Sequence, residues 1–330
     1  MFSWQSLPRP FFVLAPMHDV TDRAFRQLVS ILTKPDVMMT EFVSVDGLVH
    51  PQSHDRLLQY YLSFDQRERP LVAQIWGTDP DAFLKAARMI RESGFDGIDI
   101  NMGCPDKKVV AMGAGAALIN DPTRALEIVH ATKEGAGDLP VSIKTRLGFI
   151  QYSDAWIETL ISSHPAALTM HARTKKELSR VPAQWERIKD IAVRMRKENI
   201  PFIGNGDISS YEEGKEKAVA SGVDGVMVGR GILGCPWFFS SQKELYDTQE
   251  AKLSVLLSHA YLFERYFSGL KNFSMIKKHV KGYVSGFSGA RELRAKIMNT
   301  TSAQDIEEVC RKEGYNITVL EEVKHICQQE

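Results

Sequence analysis

Cysteine is scarce in this chain: four residues in 330, at positions 104, 235, 310 and 327. No two of them form a CxxC pair or stand at metal-ligand spacing, so neither a disulfide framework nor a metal site is expected. Surplus charge is also missing. The 41 basic and 41 acidic residues cancel, which removes any global field drawing the whole molecule onto nucleic acid or an anionic membrane. Long apolar runs are absent as well: Phe11 to Ala15 is far too short for a membrane span or a signal peptide, and no basic segment precedes it. These absences predict a cytoplasmic protein in a reducing compartment, with no membrane contact. No GxGxxG opens the first strand–helix turn, which argues against a dinucleotide-binding fold.

What is present is an ordinary soluble composition, 44% apolar and 25% charged, in a chain long enough for one large α/β domain and a smaller one. Eight short apolar runs read as buried parallel strands: Phe12–Ala15, Val37–Thr40, Leu71–Ile75, Gly97–Ile100, Val141–Lys144, Ala167–His171, Pro201–Ile203 and Gly225–Val228. Most of them read as unalternating. Between them lie signalled helices. One opens at Asp79-Pro80, carries Phe83, Ala86, Ala87 and Ile90 on one face, and stops at Gly94. Another opens at Asp121-Pro122, and a third follows Ser209-Ser210 and ends near Gly222. Eight strand–helix units predict a (β/α)8 barrel over residues 1–242, with an open doubly wound sheet as the alternative.

From residue 243 the strand pattern ceases and helical periodicity takes over, through Leu253, Leu256, Leu257, Tyr261 and Phe267, then around Met275 to Tyr283 and Arg291 to Met298. A helical domain over 243–330 is expected. It is locally basic: Lys271, Lys277, Lys278, Lys281, Arg291, Arg294 and Lys296 stand against Glu292 alone. Clustered cations suit a polyanion, although a charge run is also the ordinary look of a solvated helix face. Tyr283 and Phe287 lie among them, as base-stacking candidates or as core.

The strand ends carry the chemistry, as a barrel's C-terminal rim does. The fourth run ends Asn101-Met102-Gly103-Cys104-Pro105, a turn that presents a thiol between a glycine and a proline. The seventh runs into Gly204-Asn205-Gly206-Asp207 and the eighth into Gly229-Arg230-Gly231. Glycine-exposed amides at these two positions, with a cation beside them, point to a phosphate-bearing ligand. The first ends Ala15-Pro16-Met17, a fixed backbone against which a planar ring could lie, and Gln74 offers an amide to a heterocycle. Lys144 and His171 end the fifth and sixth. A lysine there needs an anion opposite, such as a reduced flavin, or a salt bridge to Glu41 or Asp99.

Taken in order, these motifs resemble the tRNA-dihydrouridine synthases. The ordered set is Ala15-Pro16-Met17, Val20 to Arg26, Thr40-Glu41-Phe42, Gln74-Ile75-Trp76-Gly77, Asn101 to Pro105, Gly113 to Leu118, Lys144 to Gly148, His171 to Thr174, Asn205 to Ile208 and Gly229 to Gly231. The tail Lys277 to Tyr283 with Gly289 to Arg294 is similar to that of bacterial members. The resemblance implies an FMN-dependent barrel enzyme with a helical tRNA-binding domain. It implies flavin contacts from Pro16, Met17, His18, Gln74, Lys144, His171, Asn205, Gly206, Asp207, Gly229 and Arg230, and Cys104 as the proton donor. Asn101 and Arg173 would contact the target base or its surroundings, and Lys277, Lys278, Arg291 and Arg294 the tRNA. It further implies NADPH or NADH as reductant, with a monomer and no obligate protein partner expected. An ordinary thiol is mostly protonated at neutral pH, which suits an acid, so no Cys/His ion pair is expected.

One departure stands out. Residues 176–182 replace the family's usual tyrosine- and glycine-containing segment before Ala183-Gln184-Trp185, so detail on the substrate side differs. Two rivals share some of these features. An FMN barrel acting on a free pyrimidine, like the dihydroorotate or dihydropyrimidine dehydrogenases, would not need the basic tail. A non-catalytic RNA-binding factor would not need Cys104 with the full flavin set.

Overall fold

The computed structural model describes residues 1–328. Nine strand segments occur in chain order: β1 (Phe11–Leu14), β2 (Val37–Met39), β3 (Val43–Ser44), β4 (Leu71–Trp76), β5 (Gly97–Met102), β6 (Val141–Arg146), β7 (Leu168–His171), β8 (Phe202–Asn205) and β9 (Gly225–Val228). All pair in parallel. β1 lies between β2 and β9, and β2 pairs with β4, which closes the ring. β3 prolongs the second stave along the end of β4. The nine segments therefore make eight staves of a closed (β/α)8 barrel, and the open sheet is excluded.

Register partners of neighbouring parallel strands share a face. Toward the N-terminal end the interior is apolar, filled by Phe11, Val13, Val37, Met39, Val72, Ala167, Ile203 and Met227 with Trp4 packed against them. Toward the C-terminal end the inward rows turn polar: Gln74–Asp99–Ser142, then Asn101–Lys144–Thr169, then Arg146–His171–Asn205. The reading of unalternating strands is thus corrected. β5 sets Ile98, Ile100 and Met102 outward under helices and Asp99 and Asn101 inward, and both β5 and β6 run two residues past their expected ends. The signalled helices form as expected. Asp79 caps Pro80–Glu92, which buries Phe83, Ala86, Ala87 and Ile90. Asp121 caps Pro122–Ala136, and Ser210 caps Tyr211–Ser221, which stops at left-handed Gly222. No helix among the described residues is long and apolar enough to cross a membrane.

The chain forms two compact units, divided differently from the single boundary expected after residue 242. The barrel unit comprises Met1–Met17, Pro35–Leu62 and Arg69–Gly229. The helical unit takes His18–Lys34, Ser63–Glu68 and the chain from Arg230 on. The cause is packing. The helix Arg23–Leu32 places Ala24 and Leu28 in one apolar cluster with Leu253, Leu256 and Ala260 of the helix Gln249–Phe267. Around that long helix stand Lys277–Tyr283, Ala290–Ile297, Ala303–Lys312 and Glu321–Gln328. The last two were not anticipated from the sequence, although a capping box, Ser302 with Asp305, marks the first of them. Tyr283 is core, fully buried with its hydroxyl 3.2 Å from His259 Nδ1, and Phe287 packs against the same cluster.

His259 and His279 are buried edge to face, with ring centroids 4.7 Å apart, and His279 stacks on Phe25. Burial, with Lys278 adding to it, pushes His279 down to about 4, and burial holds His259 well below its ordinary range. Both rings are neutral in the folded unit, whereas an unfolded chain takes up protons near 6.5. The stability tied to neutral rings is therefore complete above that value and is lost as pH falls toward 4. His279 alone accounts for about 3 kcal/mol of this loss. Urea unfolding should show a steep decline between about pH 7 and about pH 4.5, flattened by His279→Gln. Equal midpoints at the two pH values would refute the neutral assignment.

Candidate active site

The turn after β5 is built around Cys104. Asn101 Oδ1 accepts the backbone N–H groups of Gly103 at 3.2 Å and Cys104 at 2.9 Å, while the Cys104 carbonyl accepts from Ala116 N–H at 3.0 Å. Gly103 lies flush on β6: a Cβ there would stand 3.0 Å from Thr145 Cα. Gly115, at φ +59°, leaves room for the same turn, since its Cβ would come within 2.9 Å of the Cys104 carbonyl oxygen. The thiol is half-buried. Burial pushes it up, more strongly than the Asp106 N–H and the cations Lys144 and Arg146 pull it down. It is a protonated thiol at neutral pH, and no imidazole pairs with it among the described residues.

Behind the turn runs a chain of side-chain hydrogen bonds. Asn101 Nδ2 donates to Gln74 Oε1 at 3.0 Å, Gln74 Nε2 donates to Asp99 Oδ2 at 2.7 Å, and Ser142 Oγ donates to Asp99 Oδ1 at 2.6 Å. Asp99 is fully buried, and burial lifts its carboxyl to about 6 against the pull of Ser142, Gln74 and Lys144. Lys144 stands on β6 opposite Asn101 in register. Burial, reinforced by Arg146, lowers its ammonium to about 8 despite Asp99. The salt bridge to Glu41 or Asp99 weighed for it does not form; among the described residues Lys144 makes no hydrogen bond or ion pair. In the same inward row the buried Thr169 hydroxyl has no partner among the described residues.

At the ends of β7 and β8, Arg173 is the hub. Only 2% exposed, it donates through Nε to the Val181 carbonyl at 2.6 Å, through Nη1 to His171 Nε2 at 3.2 Å, and through Nη2 to Asp207 Oδ2. A guanidinium donor on Nε2 leaves the neutral His171 ring protonated on Nδ1. Asp207 Oδ2 also accepts the Ala183 N–H at 2.9 Å, and Asn205 Nδ2 donates to the Met227 carbonyl at 2.8 Å. Arg173 thus holds its neighbours in place and does not reach outward. Asn101 is committed at both ends in the same way. The N–H groups of Gly206 (φ +128°) and Gly229 meet no acceptor among the described residues. Pro16 and Met17 are half-buried beside the end of β9, where a Cβ on Gly229 would lie 3.7 Å from Met17 Sδ. The unusual loop is organised by Glu177, which accepts from Thr174 N–H at 2.7 Å and Gln184 Nε2 at 2.9 Å.

His18 and Arg230 belong to the helical unit, where His18 lies 3.7 Å from Asp19 and Arg230 opens an exposed turn. So do the basic candidates. Lys277 Nζ donates to the Met298 carbonyl at 2.7 Å, Lys278 pairs with Asp19 at 2.7 Å, and Arg294 Nη1 donates to the Val284 carbonyl at 2.6 Å. Lys281 and Arg291 are exposed, with no partner among the described residues. Four side chains of the inward rows were missed as site residues: Asp99, Ser142, Arg146 and Thr169. Arg146, 6% exposed, donates from Nε to the Gly103 carbonyl at 2.7 Å. The signal was the two-residue spacing that puts Asp99 with Asn101, and Ser142 and Arg146 with Lys144.

A closed barrel with a polar C-terminal interior, a presented thiol and a desolvated lysine defines a (β/α)8-barrel enzyme. The family model for dihydrouridine synthase (Dus) matches residues 13–322. The chain is 42% identical over 305 residues to a probable tRNA-dihydrouridine synthase of Staphylococcus aureus strain COL, covering 91% of this chain and 92% of the relative. It is 41% identical over 309 residues to probable tRNA-dihydrouridine synthase 2 of Bacillus subtilis strain 168, covering 92% and 94%. Among solved structures, histamine dehydrogenase from Rhizobium sp. 4-9 shares the barrel fold, with a TM-score of 0.53 at 14% identity over 76% of this chain and 48% of that one. The chain belongs to the dihydrouridine synthase family.

Proposed function

We propose that this protein binds FMN and reduces the 5,6 double bond of a D-loop uridine in tRNA, with NADPH or NADH as the reductant, acting as a monomer in the cytoplasm. One observation carries the reading: a protonated, presented thiol lies beside a half-buried lysine that has lost much of its hydration and makes no ion pair among the described residues. The donor set fits a flavin mononucleotide. Lys144 suits the electron-rich edge of the ring, Gln74 and the orphaned Thr169 hydroxyl suit its polar rim, and the free amides of Gly206 and Gly229 suit a phosphate. Pro16, Met17, His171, Asn205 and Asp207 complete the set. His18 and Arg230, the next residues after Met17 and Gly229, stay in it on the sequence resemblance alone.

When bound, the flavin supplies a hydride to carbon 6 of the uracil. Cys104 gives its proton to carbon 5, where enolate character develops, and Asn101 holds the turn that presents the thiol. Arg173 fixes His171 and Asp207. The base must leave its stack to reach this chemistry, so the RNA is held by its shape and phosphates. Purified protein should be yellow with a flavin spectrum and should reduce unmodified tRNA while leaving free uridine and uracil untouched. Equal turnover of the free pyrimidine would replace this reading with that of a free-pyrimidine dehydrogenase.

Lys277 and Lys278 are anchored within the helical unit, so Lys281 and Arg291 are the cleaner test of the basic tail. Reversing both to glutamate should weaken tRNA binding about tenfold or more near physiological salt, with a shallower salt dependence and full flavin content. Wild-type affinity in that double variant would remove the tail from the RNA-binding surface.

A further inference from the structure

A fully buried carboxylate without a salt bridge is costly unless hydrogen bonds satisfy it, and a serine or valine would fill the position of Asp99 at less cost. Among the described residues Asp99 is not ion-paired; its two oxygens accept only from Ser142 and Gln74, the first at 2.6 Å and the second at 2.7 Å. The direction of every link in the chain is forced from the far end. Gly103 and Cys104 present backbone N–H groups, so Asn101 must offer them its oxygen. Its amide nitrogen then faces Gln74, which must answer with Oε1, and the Gln74 nitrogen in turn requires an acceptor. Asp99 is that acceptor. A side chain without one would let the Gln74 amide rotate, and the rotation would pass through Asn101 to the two amides of the thiol-bearing turn.

We propose that Asp99 is a positioning residue for uridine reduction: anchored by Ser142, it holds Gln74, Gln74 holds Asn101, and Asn101 holds the turn that presents Cys104. The role in the reaction rests on the reading of Cys104 as the proton donor; the mechanical link to the turn does not. Asp99 makes no hydrogen bond to Cys104 and acts through two intermediaries.

The test is the rate at which iodoacetamide alkylates Cys104, followed on its own peptide by mass spectrometry so that Cys235, Cys310 and Cys327 do not interfere. Asp99→Leu should change that rate by about tenfold or more. Asp99→Asn should stay within about threefold of wild type, because its carbonyl still accepts from Gln74 and its amide can donate to Ser142 Oγ. In an Asn101→Ala background, Asp99→Leu should add nothing further. Single-turnover reduction of tRNA by the chemically reduced protein should fall with Asp99→Leu and persist with Asp99→Asn. An unchanged alkylation rate in Asp99→Leu, or the same fold-change with and without Asn101, overturns the proposal. Should Asp99→Leu fail to fold, Gln74→Leu breaks the chain one link later, and its Cys104 alkylation rate alone is read the same way, since Gln74 is also a proposed flavin contact. A wild-type protein that reduces no tRNA overturns the functional reading instead, and the labelling series still decides whether Asp99 holds the turn.

Discussion

Uridine reduction in tRNA should fall by about 10²- to 10⁴-fold when Cys104 is replaced by alanine, the range expected for losing a positioned general acid. Flavin content and flavin reduction by the proposed nicotinamide reductant should be unaffected, because the proposed role of the thiol lies in neither. Single-turnover experiments separate the two half-reactions, and only the one that consumes tRNA should slow. The thiol is suited to this part because burial raises it, so it keeps its proton at neutral pH. The cations Lys144 and Arg146 pull the other way and lose. A nucleophilic cysteine would need the opposite balance. Serine at 104 should rescue little, since a hydroxyl is a far weaker acid than a thiol. A Cys104 that titrates well below neutral, or an alanine variant with undiminished tRNA turnover, would remove the thiol from the chemistry.

The second large effect concerns stability. Arg26 and Glu68 form a buried pair at 2.5 Å, with side chains 1% and 0% exposed. Arg26 also donates to the carbonyls of Thr21 at 2.8 Å and Ser63 at 3.0 Å, while Glu68 accepts from Gln27 Nε2 at 3.1 Å and Asp65 N–H at 2.8 Å. Glu68→Ala would leave a buried guanidinium without its counter-charge and orphan two further donors. The expected cost is about 3–5 kcal/mol, well above that of an exposed ion pair. Urea denaturation read at tyrosine or by backbone circular dichroism measures it. Replacing both partners with apolar residues of similar volume should restore part of the loss, because the penalty lies mainly in the uncompensated charge. A single-variant loss below about 1 kcal/mol would mean that water reaches the guanidinium.

Much of the barrel was legible because its signals are local. Each of the eight staves contains a short stretch rich in apolar residues, and Asp-Pro and Ser-Ser mark where the helices begin. The thiol turn was legible for the same reason, since Asn101, Gly103 and Cys104 are adjacent in the chain. Less visible was anything decided by a partner on another strand. That Asn101 and Arg173 spend their polar atoms on neighbouring residues depends on Gln74, His171 and Asp207, which lie far away in sequence. From the sequence Asp99 reads only as a possible partner of Lys144; its actual partners sit on β4 and β6. The polar rows inside the barrel were hidden by the apolar residues that alternate with them and lie under helices on the outer face. Two C-terminal helices escaped notice because their faces, Ile306 with Cys310 and Val323 with Ile326, are short and surrounded by charge.

The helical unit borrows Arg23–Leu32 from near the start of the chain, and that constrains how such proteins can exchange parts. Cutting the gene after codon 242 would not yield a free catalytic half, because Ala24 and Leu28 would lose Leu253, Leu256 and Ala260 and show an oily stripe to water. Grafting a foreign tail onto this barrel meets the same obstacle. Recombination between relatives should preserve function only where three discontinuous stretches, residues 18–34, 63–68 and the chain from Arg230, travel together.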